Sequence, residues 1–296
     1  MKRIMAFTFL LMLLGTAVSC EKEQDAEPDL QTKPIDITAV TQQLVTSGNQ
    51  FGFEVLQNLV ANQQKPENTM ISPVSIALAL AMTYNGTAGE TQNAMEETLH
   101  LGDLSPRQIN ESYQSLIAEL LSADPQVTME IANSIWYRQE FQVEKDFLDL
   151  NREYYDAEVE ALDFSKQEAV DAINSWVDEK TNHKITTIIE AIDPLTMMYL
   201  INAIYFNGEW TYQFDEDKTS EETFYLEDGS EIKTEMMVTE TDLDFYSNEL
   251  FKAVELPYGR GNYSMICFRP TGNHRVDEII TAMNNESWNQ WMERFQ

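Results

Sequence analysis

Ten residues from Met197 to Phe206 read MMYLINAIYF, apolar throughout except for one amide, Asn202. Pro194 bounds the run on one side and Asn207-Gly208 on the other. So short a run, rich in β-branched and aromatic residues, predicts a central strand covered on both faces. Burying an amide costs roughly 1–3 kcal/mol unless it finds hydrogen-bond partners. Asn202 is therefore either a core amide satisfied locally or a polar latch below a sheet that has to open.

Around this strand the chain supplies helices first and mixed elements later. Helical periodicity starts near residue 40, with Phe51, Val55 and Leu59 four apart. Ser72-Pro73 pairs an N-cap with a proline at the first helical position, and the apolar stretch Val74 to Tyr84 predicts a buried helix ending at Asn85-Gly86. A further helix runs to Leu99. Another starts at Ser105-Pro106, with Ile109, Tyr113, Leu116, Ile117 and Leu120 on one stripe. Val127, Met129, Ile131, Asn133, Ile135 and Tyr137 alternate with polar or small residues, which reads as a strand. Ser165-Lys-Gln-Glu168 reads as a capping box opening a helix that turns Ala169, Ile173, Trp176 and Val177 inward. Turn signals at Glu227-Asp-Gly-Ser230 and Tyr258-Gly-Arg-Gly-Asn262 predict hairpins. Two amphipathic segments follow, one through Val276, Ile279, Ile280 and Met283, the other through Trp288, Trp291, Met292 and Phe295. Neither a repeat nor a linker divides the chain beyond residue 42, and the order of elements predicts a single α+β domain over 42–296. The last pattern runs to Gln296 without a cap, which reads as the N-terminal part of a longer chain.

Residues 1–19 read as an export signal: Lys2 and Arg3, an apolar run from Ile4 to Leu14, then Gly15-Thr-Ala-Val-Ser19. Eleven residues, apolar apart from Thr8, are too few to span a bilayer. Small residues leading into Cys20 resemble a bacterial lipoprotein cleavage site, with lipidation at Cys20. The other reading is an ordinary secretory signal that happens to end at a cysteine. Lipidation is favoured because the cysteine closes the small-residue site and an acidic, proline-interrupted tether over 20–41 follows. The expected location is a bacterial cell envelope or the outside, with a membrane contact through that anchor. Cys267, the remaining cysteine, reads as a buried core thiol.

Loss of residues 1–19 removes two of the 19 basic residues and none of the 50 acidic ones, a formal charge of −33. A balance this acidic repels phosphate and argues against nucleic-acid partners. G-x-S-x-G, H-E-x-x-H and P-loop patterns are missing, and His100, His183 and His274 stand apart as surface or turn residues. The residues thus nominate no catalytic group, metal or cofactor. An acidic pair of the glycosidase kind stays open among so many carboxylates, but none is singled out.

Asn68, Ile71-Ser-Pro-Val-Ser75 with its apolar helix and Asn85-Gly86, and Leu200-Ile-Asn-Ala-Ile-Tyr-Phe-Asn-Gly-Glu-Trp210 resemble the serpin family of protease inhibitors. Phe214-Asp215, Thr219, Phe224, Met236-Met237 and Glu255-Leu-Pro-Tyr258 continue the match in order, so that it covers residues 45–296. The resemblance implies a large mixed central sheet, further antiparallel sheets and about eight helices. By the same resemblance Ser72, Ser75 and Asn202 match a polar "shutter" where the strands of that sheet part. Trp210 matches a "breach" tryptophan at the sheet's top, and Asn174 an asparagine of the helix across its face. His183 departs from the family, which often has glycine in that turn. The implied activity is inhibition of serine proteases, or of cysteine proteases, by insertion of a cleaved loop. That loop is expected beyond Gln296, so residues 20–296 alone are expected neither to inhibit nor to fold stably. A non-inhibitory serpin that binds or carries a ligand is the alternative.

Overall fold

The computed structural model describes residue 30 and residues 32–65, 67–226 and 229–296. The export signal, Cys20, nearly all of the tether before Thr32, and Glu227-Asp228 of the first hairpin turn lie outside the described residues.

Local chemistry sets the helix starts. Helix α1 (Ala39–Ala61) is capped by Thr38, whose hydroxyl accepts from Thr41 N. Helix α2 (Pro73–Tyr84) starts behind Ser72, and α3 (Gly89–Thr98) follows. In α4 (Pro106–Ser122) Ser105 and Gln108 complete a reciprocal capping box. Helix α1 begins three residues before the expected boundary at 42. Within the expected tether, Lys33 exchanges two backbone hydrogen bonds with the Asn262 side chain and pairs with Glu119 at 3.3 Å, so this part lies against the body.

The sheet that holds Asn202 has the order β2 (Glu158–Leu162), β1 (Val127–Arg138), β3 (Met198–Gly208). β1 runs parallel to β2 and antiparallel to β3, a mixed sheet. Helix α5 (Lys145–Tyr155) connects β1 to β2, and α6 (Gln167–Lys180) leads towards β3. Alternation sends β1 and β3 side chains to two faces. Ile135, Met198 and Leu200 pack with α1, α2, α4 and α5 on one face. Trp136, Ile201 and Ala203 meet Ile173, Trp176 and Val177 of α6 on the other. Both faces of β3 are thus covered as expected; among the described residues it pairs with β1, and most of it is only half-buried. Gly52 of α1 makes the helical layer possible, since a Cβ there would stand 2.8 Å from the Pro73 ring.

Beyond β3 the chain forms a hairpin, β4 (Ser220–Tyr225) with β5 (Glu231–Met236), and a three-stranded antiparallel sheet β6 (Phe245–Ser247), β7 (Phe251–Tyr258), β8 (Tyr263–Pro270). Helices α7 (Val276–Ala282) and α8 (Asn285–Met292) close over one side, where Phe251, Ile279 and Trp291 form a third core. The expected α+β class, with eight α-helices and additional antiparallel sheets among the described residues, is what the chain adopts.

Two readings are corrected. Cys267 is exposed rather than buried: Ile266 and Phe268 on either side face the α7–α8 core, and alternation turns the thiol the other way. Partial desolvation still raises its pKa. The capping box at Ser165 does not form. Asp163 accepts from both Ser165 N and Ser165 Oγ, and Lys166, with no side-chain cap, stands at the helix start.

Candidate functional site

Antiparallel register places Asn133 directly opposite Asn202, and both side chains fall on the face that looks towards α2. Asn202 Nδ2 donates to Asn133 Oδ1 at 2.8 Å, while Asn202 Oδ1 accepts from Ser75 Oγ at 2.5 Å. Asn133, almost fully buried, passes its own Nδ2 to the carbonyl of Tyr155 at 2.8 Å. The half-buried Asn202 amide is thereby paired at both its oxygen and its nitrogen, and the link ties β3 to β1, to the first turn of α2 and to the end of α5. Hydrogen bonds of this kind contribute about 1 kcal/mol each when made, yet leave costly unpaired groups when one partner is removed.

The other predicted residues lie elsewhere. Ser72 is exposed, and its hydroxyl accepts from Ser75 N at 3.4 Å, so its described bond is the helix cap. Asn174 works on the opposite face of the sheet: Oδ1 accepts from Ile188 N and Ile189 N, and Nδ2 donates to Ile189 O, which staples the segment after α6 to that helix. His183 has φ +62°, the left-handed region where glycine costs least, and its Nδ1 lies 2.8 Å from Asp178 Oδ2.

Trp210 stands past the end of β3 and stacks on Tyr258 with ring centroids 4.3 Å apart and planes 17° apart. Phe214 meets Trp210 edge-on at 6.0 Å, and Phe206 meets Tyr258 in the same manner at 5.2 Å. Backbone bonds from Thr211 N to Pro257 O and from Gly259 N to Glu209 O fasten β3's exit to the β7–β8 turn. Gly208 permits this approach, since a Cβ there would come within 3.1 Å of the Tyr258 ring. Asp124 holds the turn from beneath by accepting from Arg260 N at 2.7 Å. Of the residues singled out in the sequence, then, the structure joins Ser75 and Asn202, sets Ser72 beside Ser75 as the helix cap, and leaves Asn174 and Trp210 in separate places. Asn133 is the partner that sequence reasoning passed over, although its place in the alternation of β1 was a signal.

His100, His183 and His274 each face one carboxylate, and among the described residues no group of three His, Cys, Asp or Glu is disposed to hold a metal. No helix among the described residues is long and apolar enough to cross a membrane.

A family model described as "Serpin (serine protease inhibitor)" matches residues 46–296. An uncharacterized serpin-like protein of Methanosarcina acetivorans is 30% identical across 99% of this chain and 68% of its own length. Among solved structures, the thermophilic serpin tengpin in its native state superposes with a TM-score of 0.78 at 32% identity, over 89% of this chain and 65% of tengpin. Reactive-loop-cleaved human thyroxine-binding globulin gives 0.81 at 25% identity, over 87% of this chain and 77% of that one. The chain belongs to the serpin family, and it spans roughly two thirds of the lengths of the first two of these relatives.

Proposed function

We propose that the protein is a serine-type endopeptidase inhibitor that acts by inserting its own cleaved loop into the sheet beside β3, with cysteine proteases as the second target class. The observation that carries this reading is the Ser75–Asn202–Asn133 link beneath β3, a strand whose far edge has no partner among the described residues. Such an edge offers unpaired N–H and C=O groups to an incoming strand. Beneath it, a hydrogen-bonded link can exchange partners as the strand shifts, at small net cost if every group is re-paired. The protease serine attacks the scissile carbonyl, the amine side of the bond leaves, and an ester joins the loop to the enzyme. Strand addition then drags the enzyme away before water hydrolyses the ester, driven by a metastable starting fold. Ser75, Asn202 and Asn133 govern parting of the sheet in this reading, and the Trp210–Tyr258 stack guards the end where insertion starts. No residue of the present sequence is assigned to the scissile bond.

As part of the same proposal, Cys20 carries lipid after removal of residues 1–19 and holds the inhibitor at a bacterial envelope or on its outer side. The test is incubation of the full-length protein with a panel of serine and cysteine proteases. A one-to-one complex that survives denaturing electrophoresis is expected with at least one. Clean cleavage of the loop with full recovery of every protease would overturn inhibition. It would favour a ligand-carrying role, the reading that similarity to a globulin named for thyroxine binding supports.

A further inference from the structure

The link under β3 does not end at Tyr155. Its carbonyl receives Asn133, and at the other end of the same residue the Tyr155 hydroxyl donates to Asn110 Oδ1 at 2.7 Å. Asn110 Nδ2 then donates to Asn85 Oδ1 at 2.9 Å, Asn85 Nδ2 to Asn151 Oδ1 at 3.1 Å, and Asn151 Nδ2 to the carbonyls of Phe147 and Met82 at 3.0 and 3.3 Å. Read from Ser75 onward, every amide accepts at its oxygen and donates at its nitrogen, in one sense throughout. The middle of this relay is buried: Tyr155, Asn110, Asn151 and Asn133 are each no more than 2% exposed. Burial also pushes the Tyr155 phenol well above its usual range, so it stays a neutral donor.

Geometry makes the relay more than a set of satisfied amides. It grips α2 near both ends, at Ser75 in the first turn and at Met82 and Asn85 in the last. Helix α2 therefore cannot slide or turn under β3 without disturbing amides held by α4 and α5. Halfway along, Asn85 and Asn110 form part of the wall of a cavity of about 290 Å³ between α2, α3, α4 and α5, and Asn85 is half-exposed there. Buried polar networks of this kind act as units, because breaking one member leaves its neighbours unpaired in a low-dielectric interior.

We propose that Tyr155, Asn110, Asn85 and Asn151 are positioning residues for Asn202. They fix the seat of α2, set how readily β3 parts from it, and carry a disturbance at the cavity to the sheet. The proposal goes beyond protease inhibition, and its test needs no protease, so the two fail independently.

Backbone hydrogen exchange of β3 in the full-length protein is the readout. Tyr155→Phe removes one hydroxyl, keeps the ring, and is expected to speed exchange across 198–206 about tenfold, the effect of one lost buried hydrogen bond. Ser47→Ala serves as the control, because it deletes a hydroxyl bond of another buried residue, to His100 O at 2.7 Å, outside the relay. It is expected to leave β3 unchanged. Wild-type exchange in β3 of Tyr155→Phe, or equal acceleration by Ser47→Ala, would overturn the proposal. Should Tyr155→Phe fail to fold, Asn85→Ala at the half-exposed member decides by the same criterion.

Discussion

Asn202 is satisfied at both ends of its amide, by Ser75 and by Asn133, which settles locally what an amide does inside an apolar strand. Replacing it with alanine leaves the buried Asn133 oxygen without its donor and leaves Ser75 only the longer contact to the residue's backbone carbonyl, 3.5 Å away. Asn202→Ala is therefore expected to cost about 1–3 kcal/mol, seen as a lower denaturant midpoint with an unchanged slope. Asn202 was legible because a lone amide among nine apolar residues breaks a pattern. Its partners were harder to see. Asn133 is 69 residues away, and only the strand register brings the two together. Asn85, Asn110 and Asn151 meet across gaps of 25 and 66 residues, on three different helices, and no periodicity records such a meeting.

Whole elements followed the same division. Serine-proline starts at Ser72 and Ser105 and the alternation of β1 were readable, because caps and periods are local properties. Helix α5 escaped notice for a definite reason: its buried stripe is Leu148, Asn151 and Tyr155, and the amide in the middle hides the apolar spacing. Strand β2 has five residues, EVEAL, with three of them exposed, too short a stretch for its brief alternation to mark it. At this scale the pair between Glu158 of β2 and Lys180 of α6, 2.9 Å apart, gives a pH dependence. Burial alone would raise the Glu158 pKa, but the hydrogen bond and charge of Lys180 prevail and hold it below the usual carboxylate value. A depressed carboxylate stabilises the fold above its unfolded pKa, near 4.3, and that contribution disappears as pH falls through the folded value. The same pair raises Lys180, whose share is complete below its unfolded pKa, near 10.4, and is lost only above it. Since Glu158 is more than half exposed, solvent screening limits the pair to at most about 1 kcal/mol. Acid titration from pH 7 to 3, followed by the fluorescence of Trp136 and Trp176, should show α6 loosening at the acid end. Glu158→Gln should flatten that part of the curve, and an unchanged curve would remove the pair from the account.

At the scale of the molecule, two features meet at β3. One long edge is unpaired among the described residues, and the face towards α2 is held by hydrogen bonds where neighbouring positions are hydrocarbon. The far end is pinned by the Trp210–Tyr258 stack and the fastenings around Gly259. In the proposed mechanism these contacts resist parting of the sheet until one more strand enters beside β3. The family was legible from ordered motifs spread over the whole domain. The strand order around β3 was not, because an apolar run announces burial on two faces and is silent about which strands pair at its edges. The central claim is that this sheet accepts a strand. Its most direct measurement is the melting temperature of the full-length protein before and after a single cut in the loop by a protease that does not remain attached. Insertion adds a row of backbone hydrogen bonds beside β3, so the cut protein is predicted to melt distinctly higher than the intact one. A cut protein that melts at the same temperature or lower would contradict the account.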